Sequence, residues 1–417
     1  MEKFIINRTE RLFGKVAVQG AKNSALPILT ATLLCDSACR INNCPNLTDI
    51  KATLEILESL GAKVEKTKDF ATIDASDANG YKISKAMMSR MRSSILFLGA
   101  ISSRVGKVEL CFPGGCELGP RPINLHLEAL TKMGLQLECI DGVLTGQVAG
   151  RLSGAEIDLT LPSVGATENI ILAAVLAKGT TVVNNAAREP EIIDLCNFLM
   201  KCGARINGAG GSRIEIEGVD RLQGNEHDVI PDRIVATTYM VATAAVDGDV
   251  IIDKLDSRHL QGIIDVLRKS GCRVIVGPDF VRVVSDGKLN ALGEVVTEPY
   301  PGFPTDAQAL FMVLAAVAHG QTTFVENLFE NRYKHAVELI KMGAKIELSG
   351  KTAVVRGVDT LLGSDLQAKD LRSAAALTIA GLLAKGETTV GGLEHLDRGY
   401  ENFERNLKKL GAEIRRV

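Results

Sequence analysis

The chain has 417 residues, 46% of them hydrophobic and 24% charged, with a formal net charge of -2. That length exceeds one ordinary hydrophobic core and points to two domains of about 200 residues each. The charge argues against a general nucleic-acid binder, which would carry a basic excess to neutralise phosphates, so any anionic ligand must be held by locally placed cations.

The N-terminus, Met1 to Arg8, interleaves charges with apolar residues and lacks the uninterrupted core of a signal peptide. The longest apolar stretches, such as Ile170 to Ala177, fall well short of the roughly 20 residues that span a bilayer. A cytoplasmic protein with no membrane partner is expected. Nine cysteines, scattered and odd in number, read as reduced thiols. Cys35, Cys39 and Cys44 have no His nearby in sequence and are expected to be buried structural thiols, with no metal assigned.

A first strand, Lys3 to Val18, precedes the first helix and suits the sheet of either domain. Beyond it the sequence repeats. Amphipathic runs stop at Gly61, Gly134, Gly203, Gly271, Gly343 and Gly411, about 70 residues apart, and each Gly is followed by a short alternating stretch. Gly suits the left-handed position just past a helix end, and the alternation suits a half-buried strand. Ahead of each of these lies an Ala/Leu-rich helix, and Gly179, Gly248, Gly320 and Gly386 are expected to close four of these helices before a β-branched strand. Those four are apolar nearly all round and belong in an interior. The predicted fold class is therefore α/β, with two inside-out, barrel-like domains of three repeated units each, six in all, and the repeated helices buried. The predicted boundaries are residues 21–230 for the first domain, and residues 1–20 with 231–417 for the second.

The repeats also align their polar residues. Arg121, Arg188, Arg258, Arg332 and Arg398 stand just ahead of the second helix in five repeats, while the first has Asn46-Leu47-Thr48-Asp49 instead. The starts of the buried helices carry Lys22-Asn23-Ser24, Arg90-Met91-Arg92-Ser93, Ser163 to Thr167, Asp232-Arg233, Thr305-Asp306 and Asp370-Leu371-Arg372-Ser373. Helix N-termini present free N–H groups and a positive dipole end, and added Lys or Arg makes them stronger anion sites. A small polyanion gripped by several arginines is expected. Arg188 and Arg258 also admit a structural reading, and Asp232, Asp370 and Asp306 admit that of N-caps. Asp306 follows the rigid Pro301-Gly302-Phe303-Pro304, which favours a functional carboxylate.

Between Phe112 and Pro122, three Gly and three Pro exclude helix and regular strand, leaving Cys116 on a loop five residues from Arg121. Positive potential there would lower a thiol pKa and raise its thiolate fraction.

Taken together, Gly20 to Pro27, the Pro113-Gly114-Gly115-Cys116 loop running into Arg121-Pro122, Asn185 to Glu191, Pro304-Thr305-Asp306, Glu330-Asn331-Arg332, Asp370-Leu371-Arg372 and Asp397 to Tyr400 resemble the UDP-N-acetylglucosamine 1-carboxyvinyltransferases, a family of enolpyruvyl transferases. The resemblance covers essentially the whole chain. The related shikimate-pathway synthase shares the six-unit fold but lacks this Cys loop. The resemblance implies phosphoenolpyruvate and UDP-N-acetylglucosamine as substrates, no cofactor, and an active site between the domains. By motif, Lys22, Arg121 and Arg398 would hold the phosphate of phosphoenolpyruvate, and Arg332 and Arg372 would lie near its carboxylate. Asn23 and Asp306 would contact the sugar. Arg92, Arg121, Pro122, Ile123, Asn124, Leu125, Ser163, Val164, Gly165 and Leu328 would line the nucleotide-sugar site. Cys116 is the implied acid, the site of a covalent phosphoenolpyruvate adduct and of alkylation by fosfomycin, with Asp306 the implied base. Glu117 to Pro120 and Leu161 depart from the family's usual residues, which bears on loop closure and on contacts to uridine.

Overall fold

The computed structural model describes residues 2–114 and 123–417. Its backbone forms two compact units, one holding residues 20–114 and 123–230, the other residues 2–19 and 231–417. Each unit has its own continuous apolar core. Among the described residues the strands assemble into six sheets, five of four strands and one of three, one for each repeat.

The Ala-rich segments form the helices Lys22–Ala31, Phe97–Val105, Val164–Ala174, Arg233–Ala245, Thr305–Val317 and Leu371–Leu383. Small and aliphatic side chains on every face let these helices pack closely on all sides. Leu371 through Leu382 are all buried, and Thr305–Val317 is buried except at Asp306 and Val317. Polar side chains survive inside because they are satisfied locally: Thr30, Thr238, Thr243 and Thr378 each donate to the carbonyl four residues back, at 2.7 to 2.9 Å. The inside-out arrangement follows, with buried helices under sheets and partner helices.

The partner helices, Thr48–Ser59, Asn124–Lys132, Pro190–Lys201, Gln261–Lys269, Lys334–Lys341 and Phe403–Lys409, end as the glycine spacing predicts. Their six terminal glycines have φ between 91° and 107°. The N–H of the following residue reaches back over the last turn, as in Ala62 to Leu57 O at 3.0 Å and Ala412 to Leu407 O at 3.0 Å.

The buried helices end differently from expectation. They stop at Ala174, Ala245, Val317 and Leu383, ahead of the glycines predicted to close them. Gly179, Gly320 and Gly386 instead take a left-handed φ in the turn that enters the strand. Gly248 lies inside the strand Asp247–Asp253, where a Cβ would collide with the Thr243 carbonyl. There close approach, not a left-handed turn, demands glycine.

The N-terminal segment is two strands, both in the second unit. Arg11–Ala17 pairs parallel with Asp247–Asp253. Phe4–Ile6 lies between Thr388–Gly391 and Ile414–Arg416, antiparallel to both. The other unit closes on itself as Glu226–Asp228 pairs parallel with Cys39–Asn42.

Ile6 is fully buried against the Leu371–Leu383 helix, where a Cβ on Gly381 would come within 3.0 Å of it. Ile6→Ala is expected to lower stability by about 2–5 kcal/mol in urea unfolding. Phe13→Ala, at a side chain 62% exposed, should change it by no more than about 0.5 kcal/mol.

Candidate functional site

Within the unit of residues 2–19 and 231–417, three helix starts bring charged residues together. Asp232 and Asp370 are N-caps: Asp232 accepts from the Ile234 and Val235 amides, and Asp370 accepts from Arg372 and Ser373 within a capping box. Asp306 is not a cap, since Pro304 holds that position and Asp306 lies in the first turn. Its carboxylate faces arginines. Arg372 Nε donates to Asp306 Oδ1 at 2.7 Å, and an Arg332 terminal nitrogen donates to the same oxygen at 3.3 Å. Burial would raise the Asp306 pKa, but the charges of Arg372 and Arg332, the Arg372 hydrogen bond and the charge of Arg233 hold it well below the usual carboxylate range.

The two arginines are themselves fixed. Arg332 also donates to the Thr305 carbonyl at 3.2 and 3.3 Å, and Arg372 reaches the Tyr400 hydroxyl at 3.4 Å. Tyr400 in turn shares a 2.8 Å hydrogen bond with Thr238. Burial would lower the Arg372 pKa, yet Asp306 and its other neighbours raise it further, so it stays a guanidinium. His335, enclosed nearby, is pushed down to about 4 by burial and by the charge of Arg332, against the pull of Asp370, and is neutral at physiological pH.

Beneath this group lies a carboxylate that sequence reading missed. Glu326 is buried and accepts from Thr297 and Thr305 hydroxyls and from the Leu328 and Phe329 amides, at 2.9 to 3.2 Å. It joins the turn bearing Leu328 to the helix start bearing Asp306. Arg398 is half-buried in the turn after the short helix Leu393–Leu396. Gln19 fixes that turn, donating to Gly399 O at 3.2 Å and accepting from Glu401 N at 2.7 Å.

In the unit of residues 20–114 and 123–230, Lys22 opens the first buried helix and pairs with Asp49 at 3.2 Å, both side chains well buried. Asp49 stands where the first repeat departs from the Arg pattern, so the exception supplies the counter-ion. Asn23 is half-buried beside Lys22. Ser163 caps the Val164–Ala174 helix through the Ala166 amide, leaving Val164 and Gly165 in its first turn. Ile123 is the N-cap residue of Asn124–Lys132, with Asn124 and Leu125 in its first turn.

His126, one residue past the predicted run, belongs to this group. The Asn169 side-chain oxygen accepts from Gly99 N, so its amide nitrogen donates to Ile95 O and to His126 Nδ1, at 3.0 and 2.9 Å. The proton of His126 therefore sits on Nε2, which lies 3.5 Å from where a side chain on Gly165 would begin. Burial and the charge of Arg92 hold its pKa down to about 4, leaving a neutral donor. The local cue was the Asn-x-His pairing on a helix start, too common to single out.

The structural reading holds for two repeat arginines. Arg258 is 85% exposed and folds back onto Asp256, and Arg188 is exposed on the Gly210 carbonyl. Cys116, Arg121 and Pro122 lie outside the described residues.

The sequence matches the EPSP synthase (3-phosphoshikimate 1-carboxyvinyltransferase) family over residues 6–407. It is 48% identical, over 100% of both chains, to a protein of Caldanaerobacter subterraneus subsp. tengcongensis named UDP-N-acetylglucosamine 1-carboxyvinyltransferase 2. A Shewanella protein named UDP-N-acetylglucosamine 1-carboxyvinyltransferase is 44% identical, again over 100% of both. The crystal structure of the enolpyruvyl transferase NikO from Streptomyces tendae matches with a TM-score of 0.91 at 28% identity, covering 100% of this chain and 99% of that one. An EPSP synthase from Acinetobacter baumannii shares the fold, with a TM-score of 0.77 at 21% identity. A family match across nearly the whole sequence, full-length relatives and a shared fold lead to one assignment: the chain belongs to the EPSP synthase family of enolpyruvyl transferases.

Proposed function

We propose that the protein transfers the enolpyruvyl group of phosphoenolpyruvate to the 3-hydroxyl of UDP-N-acetylglucosamine and releases phosphate, the first committed step of peptidoglycan synthesis. The observation that carries this reading is full-length identity of 44–48% to relatives named for that reaction. No helix among the described residues is long and apolar enough to cross a membrane. We place the reaction in the cytoplasm, where it serves cell-wall biogenesis and through it cell shape and division.

In this reading a proton from Cys116 adds to the enol methylene while the sugar oxygen attacks the adjacent carbon, giving a tetrahedral intermediate. The sugar hydroxyl proton passes to Asp306 as that bond forms; phosphate is then expelled while the new methyl group gives a proton back to the Cys116 thiolate, which restores the carbon–carbon double bond on the transferred group. Lys22, Arg121 and Arg398 hold the phosphate and stabilise it as it leaves. Asn23 and Asp306 orient the sugar, and Arg332 and Arg372 take the carboxylate. Arg92, the 121–125 segment, Ser163 to Gly165 and Leu328 receive the nucleotide sugar, with His126 added as a neutral donor beside Gly165.

The Asp306 environment sharpens its role as base. Held by two guanidinium groups, the carboxylate is ionised but weakly basic, far from the pKa of an efficient general base. An anionic substrate that draws Arg332 or Arg372 toward itself loosens that hold and returns basicity to Asp306. Substrate binding thus switches the base on.

The first test is phosphate release from phosphoenolpyruvate with UDP-N-acetylglucosamine, with shikimate 3-phosphate and with no acceptor. Release is expected only with the nucleotide sugar; release only with the shikimate acceptor would overturn the substrate assignment. Asp306→Asn should lower kcat by about 10²–10⁴-fold in the same assay. Cys116→Asp should retain turnover yet escape inactivation by fosfomycin, because a carboxylic acid donates a proton but is a poor epoxide nucleophile. Mass spectrometry of the drug-treated variant reads the missing adduct directly.

A further inference from the structure

Three thiols far apart in sequence meet in the unit of residues 20–114 and 123–230. The Sγ atoms of Cys35, Cys39 and Cys202 all lie within 4.8 Å of one another, and all three residues are buried. Cys44, their neighbour in sequence, is not part of the group. The cluster sits at the seam where this unit closes on itself. Cys35 forms a parallel bridge with Leu222, the Cys202 carbonyl accepts from Gln223 N at 2.9 Å, and Arg40 N donates to Asn225 O at 3.1 Å. Cys202 caps the C-terminus of Pro190–Lys201, and Cys39 begins the strand Cys39–Asn42.

The geometry suits an ion. Three sulfurs each about 2.3 Å from a central metal stand about 4.0 Å apart, which the cluster reaches with small side-chain adjustments. Thiolate donors select soft ions such as Cu(I) and Zn(II). Structural zinc takes four ligands. Among the described residues no fourth Cys, His, Asp or Glu completes the group, and burial disfavours a water in its place. Negative charge on the sulfurs is favoured by a backbone contact, against burial and the charge of Asp74. The Asn225 backbone N–H hydrogen-bonds to Cys39 and to Cys202.

We propose that Cys35, Cys39 and Cys202 form a three-coordinate sulfur site for monovalent copper that staples the first repeat of this unit to its third. The ion adds a direct tie between a turn, a strand start and a helix end that already share an apolar core and a parallel strand pairing. Loading therefore raises resistance to unfolding without touching the residues assigned to substrate.

The test uses the full-length reduced protein, titrated anaerobically with Cu(I) against a chromophoric copper chelator, and X-ray absorption of the loaded sample. One ion per chain is expected, with three sulfur scatterers at about 2.3 Å, and a rise in thermal midpoint. Cys202→Ser and Cys39→Ser should lose both the ion and the rise, while Cys139→Ser, at an exposed thiol, should keep them. If either Ser variant fails to fold, alkylation of the wild-type protein in mild denaturant decides the matter, with copper expected to shield Cys35, Cys39 and Cys202 together. The proposal is overturned if the chelator keeps all the copper or if Cys202→Ser binds it unchanged. It is equally overturned if copper leaves these three thiols open to alkylation, or if the cluster closes as a disulfide instead of holding the ion.

Discussion

A helix buried on every side must find a partner for each polar side chain it carries, and this constraint organises both units. The interior helices carry Ala, Leu, Ile and Val along their length, with threonines that satisfy their hydroxyls on their own backbone. Apart from the buried Glu168 and from Arg104 in a last turn, charged residues sit in the first turn, where the free N–H groups and the dipole already favour an anion. Every repeat thus delivers one polar tip, and the tips are what evolution could vary without disturbing the core. Lys22, Ser163, Asp232, Asp306 and Asp370 all fall between the N-cap and the second residue of their helices.

What distinguishes these tips is the partner each side chain finds. Asp232 and Asp370 each turn Oδ1 to two backbone amides as caps, and the charge of Asp232 also acts on Arg372. Asp306 is spared that duty by Pro304 and turns to Arg332 and Arg372. The same residue type at nearly the same place therefore serves structure twice and forms a charged cluster once. Burial separates the arginines in the same way: Arg258 lies on the surface against its own neighbour, while Arg332 and Arg372 are enclosed and aimed at one carboxylate.

Much of this was legible in the sequence because it rests on local rules. Glycine at a left-handed helix end is a single-residue requirement, and all six partner-helix glycines meet it. The interior helices were legible because no amphipathic face was present. Pairings across long separations were not legible. Nothing local says that Phe4–Ile6 inserts between two strands near residue 400, that Cys202 joins Cys35 and Cys39, or that Glu326 anchors Thr305. The glycines after the interior helices misled for a related reason: Gly248 answers to a carbonyl that approaches its strand, which spacing does not reveal. His126 escaped notice because its meaning depends on Asn169, whose amide sets which ring nitrogen carries the proton.

The placement of the N-terminal strands sets an order of events during synthesis. The unit of residues 20–114 and 123–230 has its described parts once residue 230 has left the ribosome, since its closing strand, Glu226–Asp228, is its own. The strand partners of residues 4–17 are made last: Arg11–Ala17 waits for residues 247–253, and Phe4–Ile6 waits for residues 388–416. This early segment is among the last to be paired, and until then Phe4, Ile6, Leu12 and Val16 lack the core that buries them. Such long-range closure is slow for a free chain, because loop entropy is lost before any contact rewards it. A chain of this connectivity thus completes one unit early and keeps the other open until residues 388–416 are in place.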